Sequence, residues 1–264
     1  MCRLLGLIAN KAVDLEFSLG RFKKYAASNQ DGWGIGWYEN GKTKVYKEAG
    51  LASDDPAYDQ RSKEVRSKII IAHVRQATEG ESARVNSHPF QYESWLFAHN
   101  GSVSRESLLG RLAETYKKGI KGQTDSEVYF RWILQCISEK GNVPEGIKKA
   151  LAEIAGRNGS KGTGGLNFLM SDGLSLYAFR FSSPGSLNYY SLYYLFRNPG
   201  DRQPSEFISK ETSALVRSKS LAGERAVLVC SEKLTDENWQ AIKPGQLLVV
   251  GPDLELQTSQ LLNV

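Results

Sequence analysis

The sequence is poor in the residues that crosslink a chain or hold a metal ion. Its 264 residues include only three cysteines and three histidines. An odd cysteine count this small does not build a disulfide framework, so we expect reduced thiols. Zinc prefers imidazole and thiolate ligands, but the spacing of the histidines fits no common metal motif. Structural hydrogen bonding is the simpler role for those rings, and we predict neither a metal nor another cofactor.

The sequence also lacks long apolar runs and one-sided stretches of charge. No run approaches the roughly eighteen apolar residues of a membrane-spanning helix, and the apolar segment 4–8 is too short and too poorly flanked for a signal peptide. The formal net charge is +5, yet the lysines and arginines are scattered among acids and form no basic stripe. We therefore expect a cytoplasmic protein that binds neither membranes nor nucleic acid.

Short apolar runs bounded by turn residues predict strands towards both ends of the chain. The predicted strands are 3–9, 32–38, 43–46, 68–74 and 94–99, followed much later by 165–170, 174–180, 189–196, 225–230 and 246–250. The pairs Asn40-Gly41 and Asp172-Gly173 favour hairpin turns between neighbouring strands. The middle of the chain is free of such runs.

Helical periodicity occupies that middle part. Ser104 is a suitable cap for a helix that ends near Gly119, and a longer helix is predicted from Thr124 or Asp125 to Gly141. A third helix is predicted over 144–155, and the segments 158–165 and 198–206 are predicted loops.

The order of strands, helices and strands, without a linker, predicts one α+β domain over residues 1–264. Two mainly antiparallel sheets stacked face to face, with helices outside, would bury both sets of strands. The expected architecture is a four-layer αββα sandwich.

The cysteine in the second position is the first candidate for chemistry. Removal of Met1 would leave a thiol and a free α-amine on the same residue. The pKa of an α-amine is about 7.7 to 8.0, so at neutral pH a fraction of the α-amine is unprotonated and can take the thiol proton. Cys2 would then supply both nucleophile and base. Position alone also fits a small apolar residue that opens a strand.

Other residues offer what amide hydrolysis needs besides a nucleophile. Asn100-Gly101 provides a side-chain amide and a backbone N–H for a developing oxyanion, although Asn-Gly is also a common hairpin turn. Arg75 can bind a carboxylate bidentately, and Asp125 can bind an ammonium group. Each is ordinary alone, as a surface ion-pair partner and a helix-start acid. Their combination with Cys2 favours a site for an amino-acid amide.

Six short motifs carry a resemblance to a known family. They are Met1-Cys2-Arg3-Leu4-Leu5-Gly6, Asp31-Gly32-Trp33-Gly34-Ile35-Gly36, His73-Val74-Arg75-Gln76-Ala77-Thr78, Ser87-His88-Pro89-Phe90, Ala98-His99-Asn100-Gly101 and Thr124-Asp125-Ser126-Glu127. In order and approximate spacing they resemble the class II glutamine amidotransferases, a branch of the N-terminal-nucleophile hydrolases. The resemblance covers roughly the first half of the chain, and the second half is a weaker match.

The resemblance implies a role for each candidate. Cys2 would be the nucleophile with its α-amine as base, and Asn100 and Gly101 would form the oxyanion hole. Arg75 would bind the α-carboxylate of the substrate, and Asp125 its α-ammonium. The four-layer αββα sandwich of the family agrees with the strand order.

Thr78 and His88 match positions near the glutamine pocket and are expected to be secondary binding residues. Two departures separate the chain from the large synthases of the family. Gln76 stands where these commonly have an aromatic residue, and Glu79 stands where they often have histidine. The chain is closer to small members, such as glutathione-degradation amidotransferases and the γ-glutamyl hydrolases of ergothioneine synthesis.

We therefore expect hydrolysis of the γ-amide of glutamine or of a γ-glutamyl compound through a Cys2 thioester, giving glutamate and ammonia or an amine. The expected partners are this small-molecule substrate and, if ammonia is used, a separate acceptor enzyme. One alternative is a hydrolase of glutathione-like γ-glutamyl peptides. A catalytically silent interaction subunit is another, and the oligomeric state stays open.

Overall fold

The computed structural model describes residues 2–14, 16–23, 28–162, 165–182, 184–186, 189–198 and 224–263. The strands are β1 (Arg3–Asp14), β2 (Gly32–Glu39), β3 (Lys42–Glu48), β4 (Arg66–Arg75), β5 (Phe90–Tyr92), β6 (Trp95–Gly101), β7 (Leu166–Ser171), β8 (Leu176–Arg180), β9 (Tyr193–Arg197), β10 (Ala226–Cys230), β11 (Gln240–Ala241), β12 (Gln246–Val250) and β13 (Leu256–Gln260). The helices are α1 (Glu16–Lys23), α2 (Pro56–Glu64), α3 (Arg105–Leu109), α4 (Glu114–Lys117), α5 (Asp125–Lys140) and α6 (Val143–Gly162).

Within the described residues the strands form two antiparallel sheets. The first has the order β11-β9-β10-β1-β4-β2-β3, and the second has the order β13-β12-β8-β7-β6-β5. The hairpin between β2 and β3 turns at Asn40 and Gly41, both of which have positive φ, as the sequence predicted. The second predicted hairpin joins β7 to β8.

Alternating side chains place the sheets face to face. On β1, Leu4 and Ile8 belong to the apolar core between the sheets, whereas Leu5 and Leu7 belong to a core that includes residues of α1 and α2. A third core lies between the second sheet and helices α5 and α6. The layers are therefore helix, sheet, sheet and helix, which confirms the predicted αββα sandwich.

Two predicted elements differ from the structure. The helix capped by Ser104 ends at Leu109. A turn follows at Gly110, and the chain bends at the buried Leu112. The backbone N–H of Ala113 then binds the side chain of Gln135, and α4 follows as a separate turn. The predicted loop at 158–165 was wrong over 158–162, where α6 continues, since glycine lowers helix stability without forbidding the helix.

The predicted strand at 189–196 was wrong over 189–192, since β9 begins at Tyr193. The predicted loop at 198–206 lies outside the described residues beyond position 198.

The fold brings three strand ends to one place. Because β1 runs antiparallel to β4, with Arg3 opposite Val74, the start of β1 lies beside the end of β4. The end of β6 faces them from the second sheet. A second close approach occurs at Gly34 on β2, which has no side chain. A Cβ at this position would lie 2.3 Å from the carbonyl oxygen of His88. The motif around His88 can therefore lie directly on β2.

Among the helices of the described residues, none combines the length and the apolar character needed to cross a bilayer.

Candidate active site

Cys2 lies just before β1, next to the residue that follows β4. The residue as a whole is partly exposed, while its thiol is surrounded by protein. The sulfur is 3.3 Å from the backbone nitrogen of Gln76, which donates to it, and 3.3 Å from the carbonyl oxygen of the same residue, which can accept from it. The main chain after β4 therefore fixes the position of the thiol.

Burial raises the pKa of the Cys2 thiol, because removal of water disfavours the thiolate. The Gln76 N–H and the Arg75 charge lower this pKa, and the Asp125 charge raises it. A thiol with a raised pKa is protonated at neutral pH and needs a base before it can attack a carbonyl carbon.

Asp31 holds the segment that carries this contact. Its carboxylate accepts a 2.7 Å hydrogen bond from the N–H of Ala77, and its own N–H donates to the carbonyl of Arg75 at 3.1 Å. Its carbonyl accepts from the hydroxyl of Ser82 at 3.1 Å. The first residue of the Asp-Gly-Trp-Gly motif thus fixes the loop beside the thiol.

Arg75 is buried at the end of β4 and binds backbone carbonyls. One terminal nitrogen, Nη1, lies 3.0 Å from the oxygen of Glu81 and 3.4 Å from that of Asp31. The other, Nη2, lies 2.5 Å from the oxygen of Glu79 and 3.1 Å from that of Gly80. Burial lowers the pKa of Arg75, and nearby negative groups oppose that effect. In this structure the guanidinium holds its own loop, so a substrate carboxylate would have to replace some of these carbonyls.

Asn100 and Gly101 end β6 opposite the thiol. Asn100 is 3% exposed, and within the described part of the chain its amide nitrogen Nδ2 has no hydrogen-bond partner. An unpaired buried donor costs free energy and is uncommon in native proteins. Gly101 has a φ of +156°, and a Cβ there would lie 1.7 Å from the carbonyl oxygen of Gly165. The strand end therefore requires glycine and leaves an amide donor free.

Asp125 begins α5 and is 3% exposed. One carboxylate oxygen, Oδ2, accepts from the N–H of Val103 at 2.8 Å, and the other, Oδ1, accepts from the hydroxyl of Ser126 at 3.2 Å. Thr124 caps the helix by accepting from the N–H of Glu127. Asp125 is thus held rigidly, with lone pairs left for a further donor.

The three histidines meet beside this site and between the two sheets. The ring centroids of His73 and His88 are 4.2 Å apart, and Nε2 of His73 lies 3.2 Å from the carbonyl oxygen of His99. Burial lowers the pKa of His73 to about 3 and that of His88 well below its usual value. Both rings are therefore neutral, and in the described residues no group of three possible ligands is arranged to hold a metal ion.

The structure brings together most of the predicted residues, but it shows no binding contact for two of them. His88 is buried against His73 and Phe90, and Thr78 is exposed in the loop after β4. Their secondary binding roles stay predictions.

Tyr190 was not predicted, and it comes from the half of the chain without motifs. Its ring contacts Gly165, since a Cβ on that glycine would lie 2.5 Å from a ring carbon. Burial raises the pKa of Tyr190, and the charges of Tyr189, Cys2 and Asp125 add to this effect. No local sequence signal indicates this contact.

A four-layer αββα sandwich with a cysteine thiol at the meeting point of the strand ends is the architecture of an N-terminal-nucleophile hydrolase. A family profile described as "Glutamine amidotransferases class-II" matches residues 1–259. The chain belongs to the class-II glutamine amidotransferases and is an enzyme of that family.

Individual relatives agree with this assignment. The putative glutamine amidotransferase YafJ of Escherichia coli (strain K12) is 29% identical over 263 residues, which cover 93% of this chain and 96% of YafJ. A gamma-glutamyl-hercynylcysteine sulfoxide hydrolase of Mycobacterium tuberculosis is 35% identical over 89 residues, 33% of this chain and 38% of that protein. A solved class-II glutamine aminotransferase domain protein from Silicibacter pomeroyi has a TM-score of 0.67 at 23% identity, with 98% of each chain covered.

Proposed function

We propose that this enzyme hydrolyses the γ-amide of glutamine or of a γ-glutamyl compound, with Cys2 as nucleophile once Met1 has been removed. One observation carries the proposal. The buried Arg75 directly precedes Gln76, whose N–H lies 3.3 Å from the Cys2 sulfur, and the buried Asp125 is bound to the N–H of Val103, two residues after Gly101. A free α-amino acid has a carboxylate and an ammonium group that such a pair can bind, which would leave its side-chain amide at the sulfur.

The first half-reaction begins with transfer of the thiol proton to the free α-amine of Cys2. The sulfur attacks the γ-carbonyl carbon, and the negative charge develops on the carbonyl oxygen. The Nδ2 of Asn100 and the N–H of Gly101 stabilise that oxygen. The protonated α-amine then gives its proton to the leaving nitrogen, the carbon–nitrogen bond breaks, and ammonia or an amine departs from a γ-glutamyl thioester.

The second half-reaction uses water. The α-amine takes a proton from water as the oxygen attacks the thioester carbon, and the same oxyanion donors act again. The carbon–sulfur bond breaks, the sulfur regains a proton, and glutamate leaves. Arg75 and Asp125 hold the amino-acid end throughout, so the acyl carbon stays at the sulfur.

The nucleophile is tested by labelling protein without Met1 with a glutamine-like chloroketone. Peptide mass mapping should find the label on Cys2, and Cys2→Ala should abolish labelling and lower activity by about 10³-fold or more. Cys230→Ala is the matched control, since Cys230 is buried on the neighbouring strand β10 and should leave both unchanged. Label on another residue, or activity retained by Cys2→Ala, would contradict the proposal.

The requirement for a free α-amine has its own test. A variant whose Met1 is retained should be inactive, although its fold and its thiol are intact. Removal of the extra residue by an aminopeptidase should restore activity. Full activity in the protein that keeps Met1 would exclude the α-amine as base.

A γ-glutamyl peptide is the second candidate substrate, and the name of the mycobacterial relative favours it. Comparison of kcat/KM for glutamine with that for γ-glutamyl dipeptides and glutathione decides between the two. If glutamine is preferred, we propose that a separate acceptor enzyme takes up the ammonia. Processed protein that hydrolyses no member of the panel would instead support a catalytically silent subunit.

A further inference from the structure

We propose that His99 and Ser126 are positioning residues that orient the Asp125 carboxylate towards the substrate ammonium. This inference rests on the proposed function, because it assumes that Asp125 binds that ammonium. It concerns two residues to which the chemistry of amide hydrolysis assigns no direct part.

A chain of buried contacts links the two sheets to the start of α5. His99 on β6 is 1% exposed, and its ring nitrogen Nδ1 lies 2.9 Å from the hydroxyl oxygen of Ser126. That hydroxyl donates to Oδ1 of Asp125 at 3.2 Å. The chain His99, Ser126 and Asp125 therefore connects residues that are 27 positions apart in the sequence.

Proton counting fixes the direction of this chain. A serine hydroxyl has one hydrogen, and here it is given to Asp125. We infer that Nδ1 of His99 carries the proton of the neutral ring and donates to the serine oxygen, because only this tautomer makes both contacts of Ser126 hydrogen bonds. Burial lowers the pKa of His99, while Asp125 and the carbonyl of Gly165 oppose this effect. A neutral ring protonated on Nδ1 gives one oriented donor for Ser126, and Ser126 gives one for Asp125.

The other oxygen of Asp125 is also fixed. Oδ2 accepts from the N–H of Val103, two residues beyond Gly101. Both oxygens thus have one donor each, and each keeps a lone pair for an ammonium N–H. A buried carboxylate with only the Val103 contact could rotate about its Cβ–Cγ bond. The Ser126 contact removes that freedom.

His99 also directly precedes the proposed oxyanion donors in the sequence. Its backbone carbonyl lies 3.2 Å from Nε2 of His73 on β4, and the next residue is Asn100. The His99 ring also packs edge-on against Tyr129 of α5, at a centroid distance of 5.0 Å. His99 therefore sets the distance between the start of α5 and the end of β6, that is, between the ammonium site and the oxyanion site.

A ligand pair that differs only in the ammonium group tests the inference. L-glutamate and glutarate share both carboxylates, and glutarate lacks the α-amine. Titration calorimetry on the full chain should show that the unmodified protein prefers glutamate, and that Ser126→Ala reduces this preference by about tenfold, as expected for one lost hydrogen bond to a charged group. Binding of glutarate should change little.

Two variants separate positioning from simple stability. His99→Asn keeps a donor near the Nδ1 position and should retain most of the preference, whereas His99→Leu should lose it as Ser126→Ala does. Ser62→Ala is the matched control, because Ser62 is a buried helix serine that bonds to the Asp59 carbonyl on α2, on the outer face of the other sheet. The Ser62→Ala variant should prefer glutamate over glutarate as strongly as the unmodified protein does.

The outcomes are distinguishable. Loss of the preference in Asp125→Asn but not in Ser126→Ala would overturn the inference and leave the ammonium site in place. Equal weakening of glutamate and glutarate by Ser126→Ala would show a structural role only and would also overturn it. An unmodified protein without any preference for glutamate would overturn the proposed function together with the inference.

Discussion

The site has two sides that are built differently. The thiol side consists of Cys2, Arg75 and the loop 76–82, and it is held by contacts between side chains and main-chain groups of the loop. The amide side consists of Asn100, Gly101, Asp125 and Ser126, and side chains between a strand end and a helix start hold it. Most of the loop is exposed, whereas the amide side is largely buried.

This difference indicates which part of the site has its groups in position before a substrate binds. Donors that need no reorganisation stabilise a transition state most effectively, and the amide side meets that condition. The thiol side needs two changes. Under the proposed function, Met1 must leave Cys2, and Arg75 must exchange loop carbonyls for a substrate carboxylate. Exposed loops open at low cost in free energy, which makes such an exchange feasible.

The largest expected effect tests the amide side. Asn100 and Asn167 are paired across β6 and β7, so they form a matched couple. Asn100→Ala should lower kcat by about 10² to 10³-fold, because one oxyanion donor is lost. Its melting temperature should hardly change, since no hydrogen bond of its Nδ2 is lost. Steady-state kinetics and thermal melts measure both effects.

Asn167→Ala should behave in the opposite way. Its side-chain oxygen accepts from the N–H of Phe181 at 2.9 Å, and its nitrogen donates to the carbonyls of Tyr190 and Ser191. The substitution leaves a buried N–H unpaired and should lower the free energy of unfolding by about 1 to 3 kcal/mol. If Asn100→Ala destabilises the fold as much and leaves kcat unchanged, the comparison fails.

The sequence predicted the buried parts of the fold better than the exposed parts. Hydrophobic periodicity predicted both sheets and α5, because those segments bury one face or both. It missed β13, whose five residues are all exposed and show no alternation. The prediction of a single domain over residues 1–264 stays a prediction.

For the site, the motifs predicted individual residues and not their contacts. Cys2, Arg75, Asn100 and Asp125 were each suggested by residue type and position. The engagement of Arg75 by its own loop was not, because carbonyl oxygens leave no mark in a sequence. The approach of Tyr190 depends on the packing of the second sheet and has no local pattern.

The next prediction concerns the thiol side. Arg75→Lys keeps the positive charge but replaces a planar fork with a single ammonium group. Lysine cannot bind a carboxylate bidentately, nor can it reach four carbonyls. We expect KM for glutamine to rise by about tenfold or more, and the loop 76–82 to be cut faster by proteases.

Arg61→Lys is the control, because Arg61 forms an exposed ion pair with Glu64 on α2. Such pairs contribute little to stability, so neither KM nor proteolysis should change. An unchanged KM in Arg75→Lys would mean that the carboxylate binds elsewhere. Unchanged proteolysis would mean that the loop 76–82 does not depend on the guanidinium and that the thiol side is as rigid as the amide side.

The smallest expected effect is on the pH dependence of stability. It concerns the buried histidines between the two sheets. His73 lies on β4, and its pKa is lowered by burial from 6.5 to about 3. In the unfolded chain this ring takes up a proton below pH 6.5, whereas in the folded chain it stays neutral until about pH 3. The unfolded state therefore binds more protons in this window, and stability falls as the pH falls.

Each pH unit below 6.5 should cost up to about 1.4 kcal/mol per buried neutral histidine. Denaturant unfolding at pH 7.5, 6.5 and 5.5 measures this slope, and His73→Gln should reduce it by the share of one residue. Carboxylates titrate at lower pH, and they contribute equally to the slope in the variant and in the unmodified protein. An unchanged slope in His73→Gln would mean that the ring is hydrated or paired in the folded state. The junction between the two sides would then be wetter, and less rigid, than the 4.2 Å ring contact with His88 indicates.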